Sequence, residues 1–186
     1  MLTEVEICNL ALSRIGQRAI DSLAENSAEA AACARHYQIA RDSLLRSYWW
    51  NFAKASATLV RNGETPAEWA YSYDLPDDLI AVRYPTPAVR FGRHRVKYEL
   101  AAGVLWTDED AVCLLYTKQV SDPLAFDKLF VRALFHRLAA DLVGPLTLDP
   151  RKSAIEEQMF LTALAEARAA DAIEEAPFDA NELGAA

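Results

Sequence analysis

The stretch Ile39 to Leu59, IARDSLLRSYWWNFAKASATL, changes its periodicity within a few residues, and that change constrains the fold more than any other part of the chain. Ala40, Leu44, Leu45 and Tyr48 recur at helical spacing, while Arg41, Asp42 and Arg46 fall on other faces. A buried helical stripe therefore runs into Trp49, Trp50 and Phe52, three large rings in four residues. From Ala55 the apolar period becomes two, as in a half-buried strand. The chain must accommodate a helix that passes almost directly into a sheet, with an aromatic anchor made by Trp49, Trp50 and Phe52 at the join.

Outside this segment the signals fall into blocks. Thr3-Glu4-Val5-Glu6 has the form of a capping box, and Val5, Cys8, Leu12 and Ile15 mark one face of a first helix ending near Gly16. Asn26 followed by Glu29 offers the cap of a second, longer helix reaching Tyr48. Trp69, Tyr71 and Tyr73 alternate with Ala70, Ser72 and Asp74 and read as a strand whose rings share a face. Leu75-Pro76-Asp77-Asp78 supplies a turn. Further strands are expected at 79–84, 94–100, 104–107 and 112–118, joined through Ala102-Gly103 and Asp108-Glu109-Asp110. Asp122-Pro123 starts a third helix with Phe126, Phe130, Leu134, Leu138 and Leu142 on its apolar side, ended by Gly144-Pro145. Asp149-Pro150 starts a fourth carrying Ile155, Met159, Leu161 and Leu164.

The expected fold class is α+β: a four-helix core with an inserted small antiparallel β meander, the short strand connections excluding crossover helices and hence a doubly wound parallel sheet. At 186 residues the chain suits one domain, with a helical core over 1–52 and 121–173, a β lobe over 55–118 and a tail over 174–186.

No apolar run approaches the roughly 18 residues of a membrane span. Glu4 and Glu6 near the start are unlike the basic region of a signal peptide, which implies cytoplasmic synthesis. Cys8, Cys33 and Cys113 are odd in number and set in apolar patterns, the usage of reduced core thiols. The net charge of −8 is unevenly spread. Residues 149–186 hold nine acids against Arg151, Lys152 and Arg168, a balance of −6, whereas 83–98 carries Arg83, Arg90, Arg93, Arg95 and Lys97 with no acid.

Catalytic and metal-binding constellations are weak. Cys33 and His36 lie three apart on one helix, but a structural zinc site needs a second pair of ligands. His94 sits among arginines, and His136 has no evident reacting partner. Asp77-Asp78 and Asp108-Glu109-Asp110 are acid pairs placed in turns, where Asp is favoured for its own backbone hydrogen bonding. No catalytic residue, cofactor site or metal ligand is assigned, and a non-enzymatic protein is expected; a hydrolase using Asp77 and Asp78 is the outside alternative. The ladder Trp69, Tyr71, Tyr73 is either the core face of the meander or, with the basic strand beside it, a stacking platform for single-stranded nucleic acid. The run Arg90, Arg93, Arg95, Lys97 is either a solvated strand edge or a subunit contact, and the tail, with Pro177, Phe178 and Leu183, is either frayed or ordered by a partner.

Three blocks carry a resemblance. Ile39 to Leu59 is similar to an "RD…LR…WNFA" signature, Trp69 to Arg83 (WAYSYDLPDDLIAVR) to a "W.Y.Y.LP.D…VR" block, and Leu114 to Thr147 to a "Y…V.DP..FD.LF…LA..LA" block. With Ile7 to Gln17, this ordered set resembles the tail tubular protein A family, the head-to-tail adaptors of short-tailed bacteriophages, over roughly four fifths of the chain. Trp49 departs from the pattern, which has a proline before Trp-Asn-Phe. The resemblance implies a structural virion protein made in the bacterial cytoplasm. It implies a homo-oligomeric ring of twelve subunits between portal protein and tail nozzle protein, with a central channel for the genomic DNA and no membrane contact. Under it, Arg90, Arg93, Arg95 and Lys97 would serve the subunit interface, and Pro177, Phe178 and Leu183 would dock on the portal or a neighbour. The alternative is a small nucleic-acid-binding protein using the aromatic and basic β lobe.

Overall fold

The computed structural model describes residues 2–63, 68–88, 96–147 and 149–174. It is an α+β protein: four α-helices and two small antiparallel sheets of three strands each among the described residues. The chain divides into two compact units, one from residues 1–41 and 122–186 and one from residues 42–121. The boundary falls within the second helix, so the expected edge of the helical core near residue 52 moves forward, and the aromatic segment belongs with the strands.

In the helical unit, α1 spans Glu4–Ile15. The capping box forms as read: the Glu6 amide donates to Thr3 Oγ1 at 3.1 Å and the Thr3 amide to Glu6 Oε2 at 2.8 Å. Gly16 closes the helix with φ 74°, a left-handed conformation that glycine adopts without steric cost. α2 spans Ala28–Ser47. Its cap is Ser27, whose hydroxyl accepts from the Ala30 amide at 3.2 Å, one residue beyond the expected Asn26. Asp122-Pro123 starts only a single 3-10 turn, Pro123–Ala125, and α3 begins at Lys128 behind a second aspartate cap, Asp127. Gly144-Pro145 does not end α3, which runs to Leu146; proline in the last turn leaves only one carbonyl without its helical donor. α4 spans Pro150–Glu174.

α3 packs against both α1 and α4. Phe126, Phe130, Leu134, Leu138 and Leu142 are buried, as their spacing predicts. α4 departs from expectation: Ile155 and Leu161 are exposed, and its inward residues are Glu156, Ala163, Leu164, Ala167 and Asp171. Small alanines let the helix axis approach closely, so an inward face need not be a leucine stripe.

In the second unit β1 (Lys54–Thr58), β6 (Val112–Lys118) and β3 (Leu79–Pro87) form one sheet in the order β1-β6-β3. β2 (Tyr71–Asp74), β5 (Val104–Thr107) and β4 (Tyr98–Ala101) form the other, in the order β2-β5-β4. The expected meander is thus divided over two sheets, and among the described residues only β4 and β5 pair as consecutive strands. Ala102 and Gly103 turn between them with φ 51° and 81°, the pair of positive values that a two-residue hairpin matched to strand twist requires. Pro85 and Pro87 sit in β3, an edge strand, where a missing N–H costs no ladder bond on the open side. Leu59, Tyr73, Leu105, Val112, Leu114 and Tyr116 from both sheets form one buried cluster. No helix among the described residues is long and apolar enough to cross a membrane.

Candidate functional site

The aromatic segment folds around the C-terminus of α2. A helix leaves its last carbonyls without amide donors, and here side chains supply the donors. The Trp50 indole N–H donates to the Leu44 carbonyl at 2.9 Å, and the Ser47 hydroxyl donates to the same oxygen at 2.8 Å. Arg83, on β3, donates from Nη2 to the carbonyls of Tyr48 at 2.7 Å and Arg46 at 3.3 Å, and from Nε to Thr117 Oγ1 on β6 at 2.8 Å. Arg46 in turn donates to the Ile80 carbonyl at 2.7 Å. A cation at the helix C-terminus also meets the negative end of its dipole. Burial, together with the neighbouring charge of Arg46, pulls the Arg83 guanidinium below its ordinary value, yet its ordinary value is so high that it remains charged.

Around this node the three rings differ in role. Trp50 is completely buried, edge-on to Tyr48 with centroids 4.9 Å apart and stacked near Phe52 at 6.3 Å. Phe52, expected in the core with it, is only half-buried. Trp49 is half-buried too, with Tyr84 edge-on at 5.6 Å and the Lys54 ammonium 4.7 Å from its ring centre. Its own indole N–H is buried without a hydrogen-bond partner. Trp49 stands where the resemblance drawn from the sequence leads to the expectation of a proline. The helix stops without one because the terminal carbonyls are taken by Trp50 and Arg83.

The Trp69, Tyr71, Tyr73 ladder does not present three free ring faces. Tyr73 is 1 % exposed, and its hydroxyl lies 2.8 and 2.7 Å from the carbonyls of Glu109 and Asp110. Tyr71 packs on the same cluster, with the Arg61 guanidinium over its ring at 4.1 Å. Trp69 is half-buried and donates from its indole to Glu99 Oε2 at 3.1 Å. Lys97 is exposed. Arg90, Arg93, Arg95 and His94 lie outside the described residues, as do Pro177, Phe178 and Leu183.

The acid turns are bound into the fold. Asp78 accepts from the Tyr116 hydroxyl at 2.9 Å, and burial together with that carboxylate raises the phenol above its ordinary value. Asp108 accepts from the Ala70 amide at 3.0 Å, and Asp110 pairs with Arg61. Among the described residues no group of three or more His, Cys, Asp or Glu side chains converges as metal ligands.

Two features escaped the sequence reading. Arg83 looked like one more basic residue in a charged run, and only its contact partners distinguish it. The other is a buried polar cluster in the helical unit: Glu156 accepts from His136 Nδ1 at 2.7 Å, and its other oxygen pairs with Arg14 at 2.9 Å. Glu156 and His136 are each 3 % exposed. The one signal available was Glu156 falling on the same helical face as Ala163 and Ala167. The chain matches no known family model and no curated protein.

Proposed function

We propose that the protein is a structural, non-enzymatic connector subunit between the head and tail of a short-tailed bacteriophage. In this reading it assembles as a homo-oligomeric ring of twelve, with the portal protein on one face, the tail nozzle protein on the other and a central passage for genomic DNA. It would be made in the cytoplasm of the bacterial host and reside in the neck of the virion. The observation that supports it best is the convergence at Arg83. The resemblance to tail tubular protein A rests on three separate blocks; Arg83 ends the second, its acceptors Arg46 and Tyr48 lie in the first, and its acceptor Thr117 lies in the third. The three blocks thus share one hydrogen-bonded node, as parts of a single fold would.

The charge agrees with the role. A net charge of −8 lets a channel wall repel rather than retain DNA passing it. Arg90, Arg93, Arg95 and Lys97 are assigned to the contact with acids of a neighbouring subunit, and Pro177, Phe178 and Leu183 to docking on the portal or that neighbour. The nucleic-acid-binding reading needs free aromatic faces, and Tyr73 and Tyr71 are committed to the core of their own unit.

The test is a native mass measurement of the full chain alone and mixed with phage heads that carry portal but lack a connector. A ring mass, or capture of about twelve copies per portal, is the expected result. Changing Arg93 and Arg95 to Glu should then slow assembly, and deleting residues 177–186 should weaken attachment. A chain that stays monomeric and leaves the heads unbound, or is retained on single-stranded DNA in a salt-dependent way, overturns the proposal.

A further inference from the structure

The sheet edges of the second unit are not alike. The outer edge of β3 carries Pro85, Pro87 and register shifts against β6, devices that blunt an edge. The outer side of β2 is covered by residues 60–62: the Asp74 amide donates to the Val60 carbonyl at 3.0 Å and the Asn62 amide to the Ser72 carbonyl at 3.2 Å. β4 has neither protection, and all its residues are exposed. Ala101 and Val104 flank the two-residue turn as a hydrogen-bonded pair, so the alternation along the hairpin gives Glu99 to Trp106 and leaves the N–H and C=O of Tyr98 and Leu100 directed away from β5. The same two residues stand opposite Thr107 and Leu105 and so share their face of the sheet. Leu105 and Thr107 are completely buried, whereas Leu100 is 45 % and Tyr98 37 % exposed. The core face of this sheet therefore runs past the core at an open edge.

We propose that β4 pairs antiparallel with β4 of a second copy of the chain, about a two-fold axis at Tyr98, so that two sheets become one. The edge is complementary to itself. Val96-Lys97-Tyr98-Glu99-Leu100 reads apolar, basic, aromatic, acidic, apolar. With Tyr98 opposite Tyr98, Lys97 of each copy faces Glu99 of the other and Leu100 faces Val96. The register also suits the backbone, because Tyr98 and Leu100, whose N–H and C=O point outward, fall in the hydrogen-bonded pairs. Centring the pair on Glu99 would set like charges face to face, and centring it on Leu100 would leave Glu99 opposite Ala101. β1, the other edge strand, carries Lys54 and no acid, so it cannot match itself in this way. A two-fold pair closes on itself and cannot grow into a ring, so it is a state of the free chain, independent of the connector reading except that Lys97 serves one contact or the other.

Sedimentation velocity of the full-length chain over about 5–500 µM should show a reversible monomer–dimer equilibrium with a dissociation constant on the order of 10–100 µM, as suits a contact below the roughly 1,200 Å² of stable interfaces. Lys97→Glu sets acid against acid and should weaken the dimer about tenfold or more, and the double variant Lys97→Glu/Glu99→Lys, with the pair restored in reverse, should regain it. Tyr98→Pro removes an outward amide that β5 does not use, and should leave a folded monomer. The pair is overturned if the chain is monomeric throughout that range, if it passes from monomer to rings without a dimer, or if the dimer persists unchanged in Lys97→Glu and Tyr98→Pro. A double variant as weak as Lys97→Glu alone overturns the register. A dimer that never attaches to portal-bearing heads refutes the connector and keeps this contact, whereas attachment by a chain that shows no dimer does the reverse.

Discussion

At the C-terminus of α1 the chain turns through Gly16, whose amide and that of Gln17 reach back to the carbonyls of Ser13 and Leu12, and Lys152 of α4 donates to the Ile15 carbonyl at 2.8 Å. At the C-terminus of α2 there is no glycine, and Trp50 and Arg83 take the carbonyls instead. Both helix ends receive a cation from far along the chain. The first has its own glycine besides; the second has the side chains of Trp50 and Ser47. α1 ends by a local rule, whereas the end of α2 is tied to β3 through the Arg83 side chain.

The largest expected effect probes that dependence. Trp50→Ala removes a fully buried ring and the donor to Leu44, and should cost about 3–5 kcal/mol in chemical denaturation. A denaturation midpoint unchanged by the substitution would show that the end of α2 does not rest on this ring. The helical unit offers the matching test. Glu156→Ala strips His136 and Arg14 of their shared acceptor and should cost about 2–3 kcal/mol, below the range for fully buried pairs because Arg14 is 41 % exposed and can turn to water. Glu156→Gln, which keeps an acceptor oxygen, should recover part of the loss; equal losses would mean that packing, not charge, holds α4 there.

Arg83→Ala should cost about 2 kcal/mol through three lost hydrogen bonds, two of them to the end of α2. The informative measurement is amide exchange, in which the last turn of α2 should open faster while α1 is unchanged. Equal acceleration in both helices would dissolve the contrast drawn between them. The smallest effect has the opposite sign. Ala102 holds a positive φ at the first turn position of the β4–β5 hairpin, so Ala102→Asn should stabilise the protein by about 0.5–1 kcal/mol. A thermal midpoint that falls would show that the hairpin gains nothing from relief at this residue.

Much of the fold was legible because local rules wrote it. The capping box at Thr3, the stop at Gly16, the period-two strands at 104–107 and 112–118 and the Ala102-Gly103 turn all depend on residues within a few positions of one another. The errors arose where a local signal met a longer-range competitor. Asp122-Pro123 is a sound helix start, yet Asp127 caps the helix that persists, and Gly144-Pro145 lies too near the end of α3 to stop it sooner. α4 looked like a leucine-faced helix and packs through alanines and a buried glutamate instead, because what it packs against is absent from its own sequence.

The candidate site divides the same way. By itself the sequence determined that this is an α+β chain, that an aromatic segment joins helix to strand near Trp50, and that its charge is unevenly distributed, since each follows from composition and periodicity. Tertiary structure alone decided that the strands divide into two sheets, that Arg83 holds the end of α2, and that Glu156 bridges Arg14 and His136. Those are meetings of groups tens of residues apart, and a hydrogen bond exists only where the fold brings donor and acceptor within a few ångströms.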